Sequence, residues 1–415
     1  MSKLDELLRE LCPNGVEYKK LGEIATVLRG ASPRPIKKYI TNDSDGVNWI
    51  KIGDVPVGSK YITQSEEKIT KEGAEKSRYV RKGDFILSNS MSFGRPYILA
   101  IDGCIHDGWL SISNFKDVFL SDYLYYLLSS SAIQQEMKKR ASFGGAVQNL
   151  NADIVKALVL PVPPIEVQSE IVRILDNFTK LTAELTAELT ARKTQYGFYR
   201  EELLNKTKVS ATMTKVADLG KWSGGKTPSM AEKKYWDSGT IPWVSSKDVK
   251  QPILSDTIDH ITNTAVDEAS MTVYPAGSVA IVTRSGILRH TFPVTYIPFE
   301  TTVNQDIKIL VTKEGISSRY VSHALQAYGE NIRRTTKKQG GTVDSLDFQK
   351  VLAYKIPVPS LDVQNRIVNV LDNFEKICSD LNIGLPAEIE ARQKQYEYYR
   401  DKLLSFKEHE DGLSN

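Results

Sequence analysis

The chain has 415 residues, 41% hydrophobic and 25% charged, which is enough for more than one core and excludes a disordered or fibrous protein. Its 54 Lys and Arg against 51 Asp and Glu leave +3, which excludes a histone-like polycation but leaves room for local basic patches. Cys12, Cys104 and Cys378 form no CxxC pair, so neither a disulfide framework nor a structural zinc is expected, and no apolar run approaches membrane length. A soluble cytoplasmic protein without an address signal is the expectation.

In chain order, residues 1–160 read as a first mixed α/β domain, with strands near 47–52 and 84–87 and a helix near 121–139. Residues 161–206 follow as a long helix. A second α/β domain occupies 207–356, with strands near 278–283 and 306–311 and a helix near 317–337, and residues 357–415 form a second helical segment. The fold class is α+β.

Self-similarity organises this order. Pro161-Val-Pro-Pro-Ile-Glu-Val-Gln-Ser-Glu-Ile-Val-Arg-Ile-Leu-Asp-Asn-Phe178 recurs as Pro357-Val-Pro-Ser-Leu-Asp-Val-Gln-Asn-Arg-Ile-Val-Asn-Val-Leu-Asp-Asn-Phe374, an offset of 196. Ala191-Arg-Lys-Thr-Gln-Tyr-Gly-Phe-Tyr-Arg-Glu-Glu-Leu-Leu204 recurs as Ala391-Arg-Gln-Lys-Gln-Tyr-Glu-Tyr-Tyr-Arg-Asp-Lys-Leu-Leu404, offset by 200. Fainter matches join Trp49 and Asp54-Val55 to Trp243 and Asp248-Val249, Gly144-Gly145 to Gly340-Gly341, and Asp5-Glu6-Leu7-Leu8 to Glu201-Glu202-Leu203-Leu204. The same helix end opens the chain, closes the first copy and closes the second.

Val167, Ile171, Ile174, Phe178, Leu181, Leu185, Leu189, Tyr196, Tyr199 and Leu203 follow a heptad-like seam. A rod of roughly 40 residues would span about 60 Å and cannot stand alone, so its duplicate is the natural partner. The interface expected between the rods comprises Ile171, Leu175, Phe178, Leu185, Leu189, Tyr196 and Tyr199 with Ile367, Leu371, Phe374, Tyr396 and Tyr399. Val363, Val370, Ile377 and Leu381 continue the second seam until Gly384 and Pro386 interrupt it.

Gly220-Lys-Trp-Ser-Gly-Gly225-Lys226-Thr227 matches the phosphate-loop pattern, but Pro228 blocks the helix that should follow. The first copy reads Arg29-Gly-Ala-Ser-Pro33 there, so a turn is expected. No other nucleophile, metal or dinucleotide motif occurs, and the five histidines show no i,i+4 spacing; a binder without catalytic residues or metal is expected.

Polar and basic loops recur at matching places. In the first domain these offer Arg29, Lys51, Ser88, Asn89, Ser90, Arg95, Lys138, Lys139 and Arg140. In the second they offer Lys226, Lys247, Thr283, Arg284, Ser285, Arg289, Arg333, Arg334, Lys337 and Lys338. Arg reads guanine, Asn and Gln read adenine, and Lys neutralises phosphate, so the clusters point to nucleic acid. A coiled-coil scaffold whose variable domains bind proteins is the alternative.

The doubled block resembles the specificity subunit of Type I restriction-modification systems, and the two Thr-Ala-Glu-Leu units of residues 182–189 look like its IC branch. That resemblance implies two target-recognition domains joined by long helices packed as an antiparallel, pseudo-two-fold coiled coil. It further implies a bipartite asymmetric site on double-stranded DNA, one half per domain, with two modification subunits and restriction subunits as partners. S-adenosylmethionine, ATP and magnesium would sit on those partners, with no cofactor on this chain. One added Thr-Ala-Glu-Leu unit lengthens a helix by about 6 Å with a net turn near 40°, about one base pair of DNA.

Overall fold

In this computed structural model, residues 2–55, 58–89, 93–144, 147–209, 211–338, 343–379 and 384–409 are described. Ser90, Gly145, Gly340, Gly341 and Leu381 from the sequence reading lie outside them.

The first repeat does not close on itself. One compact unit joins residues 1–184 to 390–415, and the other takes 185–389. The dividing points fall inside two helices, Ile165–Thr207 and Leu385–Leu403. Each unit therefore combines the opening block of one repeat with the closing block of the other.

In the first unit, five strands run in the order Thr26–Arg29, Trp109–Ser113, Phe85–Ser88, Pro96–Leu99, Tyr61–Ile62. A second sheet runs Ile40–Thr41, Glu67–Ile69, Val47–Ile50, Gly103–Ile105, Arg78–Val80. Phe85–Ser88 and Pro96–Leu99 are buried at every position, because continuous apolar runs suit a sheet covered on both faces. In the second unit the corresponding sheets are Gly220–Gly224, Ile307–Thr312, Ser278–Val282, Val294–Ile297 and Asp259–Ile261, Ile241–Val244, Thr302–Val303. Trp49 and Trp243 hold the same register, each on a strand paired in parallel with the next, opposite Cys104 and Thr302.

Each domain helix is split where one was expected. Ser121–Leu128 and Ser131–Arg140 are separated by Ser130, whose hydroxyl accepts from the Ile133 N–H at 3.4 Å and starts a new helix. Ser318–Ala327 and Gly329–Thr336 meet at Gly329, where an added Cβ would lie 3.0 Å from the Phe292 ring.

The long helix Ile165–Thr207 runs unbroken for 43 residues through both Thr-Ala-Glu-Leu units. Its counterpart comprises Leu361–Ser379 and Leu385–Leu403, with Pro386 in a first turn, where its missing N–H is no loss. The buried stripe near the domains consists of residues expected in the seam or between the rods, but it packs against the domains. Val167, Ile171 and Leu175 are fully buried at i,i+4 spacing in the same cluster as Phe115, Tyr123 and Leu128. Ile367 and Leu371 do likewise in the second unit, whereas Leu181, Val370 and Ile377 are 48%, 44% and 43% exposed. These helix segments pack against a globular core, which selects i,i+4 rows.

Three residues of the repeated blocks clamp each domain to its helices. Gln168, fully buried, accepts from the Leu120 N–H at 2.9 Å and donates to the Val118 and Pro163 carbonyls, both at 2.9 Å. Gln364 repeats this with Ser317 N–H at 2.8 Å and the Gly315 and Pro359 carbonyls at 3.2 and 2.9 Å. Asp176 accepts from the Tyr126 hydroxyl, and Asp372 lies 2.8 Å from His323 and 2.5 Å from Arg319. Tyr396 packs edge-on against Tyr126, as Tyr196 does against His323. Phe178 stacks on Tyr399 in the first unit, and Tyr199 on Phe374 in the second, with ring centroids 5.5 and 5.6 Å apart. Leu185 and Leu189 are half-buried.

Candidate nucleic-acid interface

In each unit several loops are tied together beside the sheet that carries Trp109–Ser113 or Ile307–Thr312 by the same backbone bonds. In the first, Ala31 N–H donates to the Ile105 carbonyl at 3.1 Å, Asn89 N–H to Gly108 at 3.1 Å, and Leu150 N–H to Asn89 at 2.8 Å. In the second, Lys226 N–H donates to Val303 at 3.0 Å, Thr283 N–H to Asp306 at 2.8 Å, and Leu346 N–H to Thr283 at 2.9 Å. Such close approach needs glycine: a Cβ on Gly30 would lie 2.0 Å from the His106 carbonyl oxygen, and one on Gly225 1.7 Å from that of Val303.

The side chains of this cluster divide into fixed and variable positions. Asp54 and Asp248, matched in the repeat, are both buried and cap the turn that precedes them. Asp54 accepts from the Lys51 and Glu66 N–H groups at 2.6 and 3.1 Å, and Asp248 from those of Ser245 and Ile258, both at 2.8 Å. At the neighbouring loop Ser32 donates to Asp107 Oδ1 at 2.7 Å, and Thr227, in the same register, donates to Gln305 Oε1. His106 packs between the Trp49 and Trp109 rings, with centroids at 6.3 and 6.0 Å; its Nδ1 accepts from Gly108 N–H at 2.8 Å. Burial holds its pKa below the ordinary 6.5, so the ring is neutral.

This arrangement explains the phosphate-loop look-alike. Gly220–Gly224 is a strand paired with Lys308–Thr312, and Lys226 N–H and Thr227 Oγ1 are spent on Val303 and Gln305. The following regular element is the 3-10 turn Lys233–Tyr235, so no helix N-terminus faces a phosphate.

Several sequence-expected contact residues have partners within the fold, and three of them are withdrawn from the surface, which corrects the expectation for those three. Ser88, Asn89 and Thr283 are buried; Asn89 donates to the Asp107 carbonyl at 3.0 Å and Thr283 to that of Asp306 at 3.0 Å. Lys51 pairs with Glu67 at 2.6 Å, and Arg140 pairs with Glu136 while donating to the Ala157 carbonyl at 3.1 Å. Arg333 pairs with Glu330 at 2.6 Å and donates to the Leu288 and Arg289 carbonyls at 3.3 and 3.0 Å. Arg289 and Lys337 both reach Asp344, at 3.4 and 2.7 Å, and Ser285 accepts from Ile287 N–H at 3.4 Å.

The cations left outward are Arg29, Arg95, Lys138 and Lys139 in the first unit and Lys226, Lys247, Arg284, Arg334 and Lys338 in the second. All are exposed and none has an ion pair among the described residues, although Arg29 donates to the Asp107 carbonyl at 3.2 Å and Arg95 lies over the Tyr97 ring. The sequence reading missed Ser32, Asp107 and Gln305, because the stretches around 107 and 305 share no identity and only strand register aligns them. It also missed His323, which is fully buried and forms with Asp372 and Glu375 the one potential metal grouping among the described residues. Arg319 already occupies that position, 2.5 Å from Asp372 and 2.8 Å from Glu375, so a resident cation stands where a metal would.

The sequence profile of the Type I restriction modification DNA specificity domain matches residues 13–192 and again 209–391. The chain belongs to the Type I restriction-modification specificity-subunit family. Over 294 residues, 69% of this chain and 71% of the relative, it is 42% identical to the EcoR124I/EcoR124II specificity subunit of Escherichia coli. A putative type I specificity subunit of Haemophilus influenzae is 28% identical over 411 residues, 94% of this chain and 96% of its own length. In fold, this specificity subunit is similar to a chain from a solved type I restriction-modification complex, with a TM-score of 0.65 at 15% identity over 94% of this chain and 98% of that one. The HsdS subunit of Thermoanaerobacter tengcongensis gives 0.52 at 15% identity, covering 95% and 96%. Among the described residues no helix is long and apolar enough to cross a membrane.

Proposed function

We propose that this specificity subunit binds a bipartite, asymmetric site on double-stranded DNA, one half per unit, and docks modification and restriction subunits on its long helices. The observation that carries this is the loop cluster built twice on the same backbone bonds with different outward side chains: Ser32 and Asp107 in one unit, Thr227 and Gln305 in the other. One scaffold with two sets of side chains is what two unlike half-sites require. The chain itself is non-catalytic in this reading; S-adenosylmethionine, ATP and magnesium belong to its partners, and the long helices pair as an antiparallel spacer with pseudo-two-fold symmetry.

The Thr-Ala-Glu-Leu units act as an IC-type ruler. A third unit adds about 6 Å and about 40° of turn, and so lengthens the gap between half-sites by about one base pair. Mapping modified adenines in cells that carry the complete methyltransferase tests both statements. A split, asymmetric motif is expected, with a longer gap in the three-unit variant; absence of any split motif overturns the reading. Retention of the chain on duplex DNA should also fall steeply with salt, which a protein-binding scaffold would not show.

A further inference from the structure

We propose that Asp107 and Gln305 are specificity-determining residues that read base edges with opposite hydrogen-bond polarity in the two half-sites. This rests on the DNA-reading role proposed above.

The two residues hold the same place. Each follows the short strand paired in parallel with the Trp49 or Trp243 strand, each sits two residues before a strand that lies second from one edge of its sheet, Trp109–Ser113 or Ile307–Thr312, and each accepts from the hydroxyl of a residue followed by proline. That hydroxyl fixes the rotamer by taking one oxygen, and so dictates what the other end presents. In Asp107 the remaining Oδ2 is an acceptor; Arg34, 3.9 Å away and 85% exposed, is its nearest ion-pair partner. In Gln305 the remaining group is the Nε2 amide, with two donors and no hydrogen-bond partner among the described residues. The scaffold thus aims an acceptor in one unit and a donor in the other.

Electrostatics separates a reading role from a merely structural one. The Ser32 hydroxyl holds Asp107 below the ordinary carboxylate range, so it is ionised, and half its side chain is open to solvent. An outward carboxylate repels phosphate oxygens and attracts the amino groups of bases, so it suits a base edge and not the DNA backbone. Asp accepts from the exocyclic amino group of cytosine or adenine, and the Gln305 amide donates to a purine N7, guanine O6 or thymine O4. A fold needing only a loop clamp could close it with any acceptor, without leaving a full charge outward.

The test uses the intact complex, with modified adenines mapped across a genome for Asp107→Asn and Gln305→Glu. Asp107→Asn should shift base preference about tenfold or more at one position of one half-site and leave the other half unchanged. Gln305→Glu keeps the acceptor for Thr227 but turns the outward donor into an acceptor, and should change one position of the other half-site. If the wild-type complex reads a split motif and both variants keep it, or lower modification equally at every site, this inference is wrong while the DNA-reading role stands. If the wild type reads no split motif, both fall. Should Asp107→Asn fail to fold, Gln305→Glu decides alone, because its loop bond is preserved.

Discussion

Replacing Arg319 by Leu probes the anchor that fixes the domain of the second unit to its helix. The Arg319 side chain is 12% exposed, and one of its terminal nitrogens serves Asp372 at 2.5 Å and Glu375 at 2.8 Å. Without it Glu375, 4% exposed and already lacking a partner at Oε1 among the described residues, loses its donor at Oε2. His323 Nε2 stands 3.9 Å away, too far for a hydrogen bond. An uncompensated buried charge of this kind costs about 3–5 kcal/mol. The first unit suggests the remedy, because Thr179 occupies the repeat position of Glu375 there. The double variant Arg319→Leu with Glu375→Thr should recover at least half of the loss. Hydrogen exchange over Ser318–Ala327 and Leu361–Ser379 is the suitable assay, since it reports local opening without assuming that two units unfold together. Protection should fall about 100-fold or more in the single variant. A fall under about tenfold, or a double variant no better than the single, refutes the reasoning.

Gly225→Ala should destabilise by about 3 kcal/mol or more, because its Cβ would lie 1.7 Å from a carbonyl oxygen. Gly286→Ala, with nothing within 4 Å, should stay within about 1 kcal/mol, and thermal melting compares the pair. Gln364→Leu strips the Ser317 N–H and the Gly315 and Pro359 carbonyls of their partner and should cost about 2–4 kcal/mol by the same measurement. Burial would raise the Asp372 carboxyl, but His323 and Arg319 hold it at about 2 against an ordinary 3.8. A depressed carboxylate contributes stability that is full above its unfolded value and is lost as pH falls from about 4 toward about 2, so Asp372→Asn should flatten that acid limb in a stability-against-pH series. Arg284→Ala should relax one half-site only; uniform loss of binding on all sequences would assign Arg284 to phosphate.

The duplication and the long helices were legible because they repeat letters: Gln168 and Gln364, Asp176 and Asp372, Tyr196 and Tyr396 recur in matched blocks, and each proves to hold the same contact in its unit. What those letters do was less legible. A heptad reading assigned Leu181, Val370 and Ile377 to a seam, yet these are exposed, while Leu175 and Leu371, expected between the rods, are buried in the cores of the globular domains. The proposed site was legible only as a region. Charge type pointed to basic loops but could not show that Arg333 donates to the Leu288 and Arg289 carbonyls and Arg140 to that of Ala157, contacts distant in sequence.

The most informative positions are those where the backbone repeats and the letters do not. Asp54 and Asp248 are identical and bind only backbone and side chains of their own unit, whereas Asp107 and Gln305 differ and turn outward from the same bonded loop. A duplicated scaffold separates the two requirements within a single chain, since residues that hold the loops are free to match in both copies, whereas residues that would read the unlike half-sites proposed above must differ. Difference in letters alone does not decide, because His106 and Asn304, equivalent in register and different in chemistry, both hold their loops: His106 is packed between two tryptophan rings, and Asn304, buried at 7%, accepts from Asp306 N–H at 3.0 Å. Difference in letters marks a reading position only where the side chain also reaches solvent, which confines the code of this cluster to Asp107, Gln305 and the outward cations beside them.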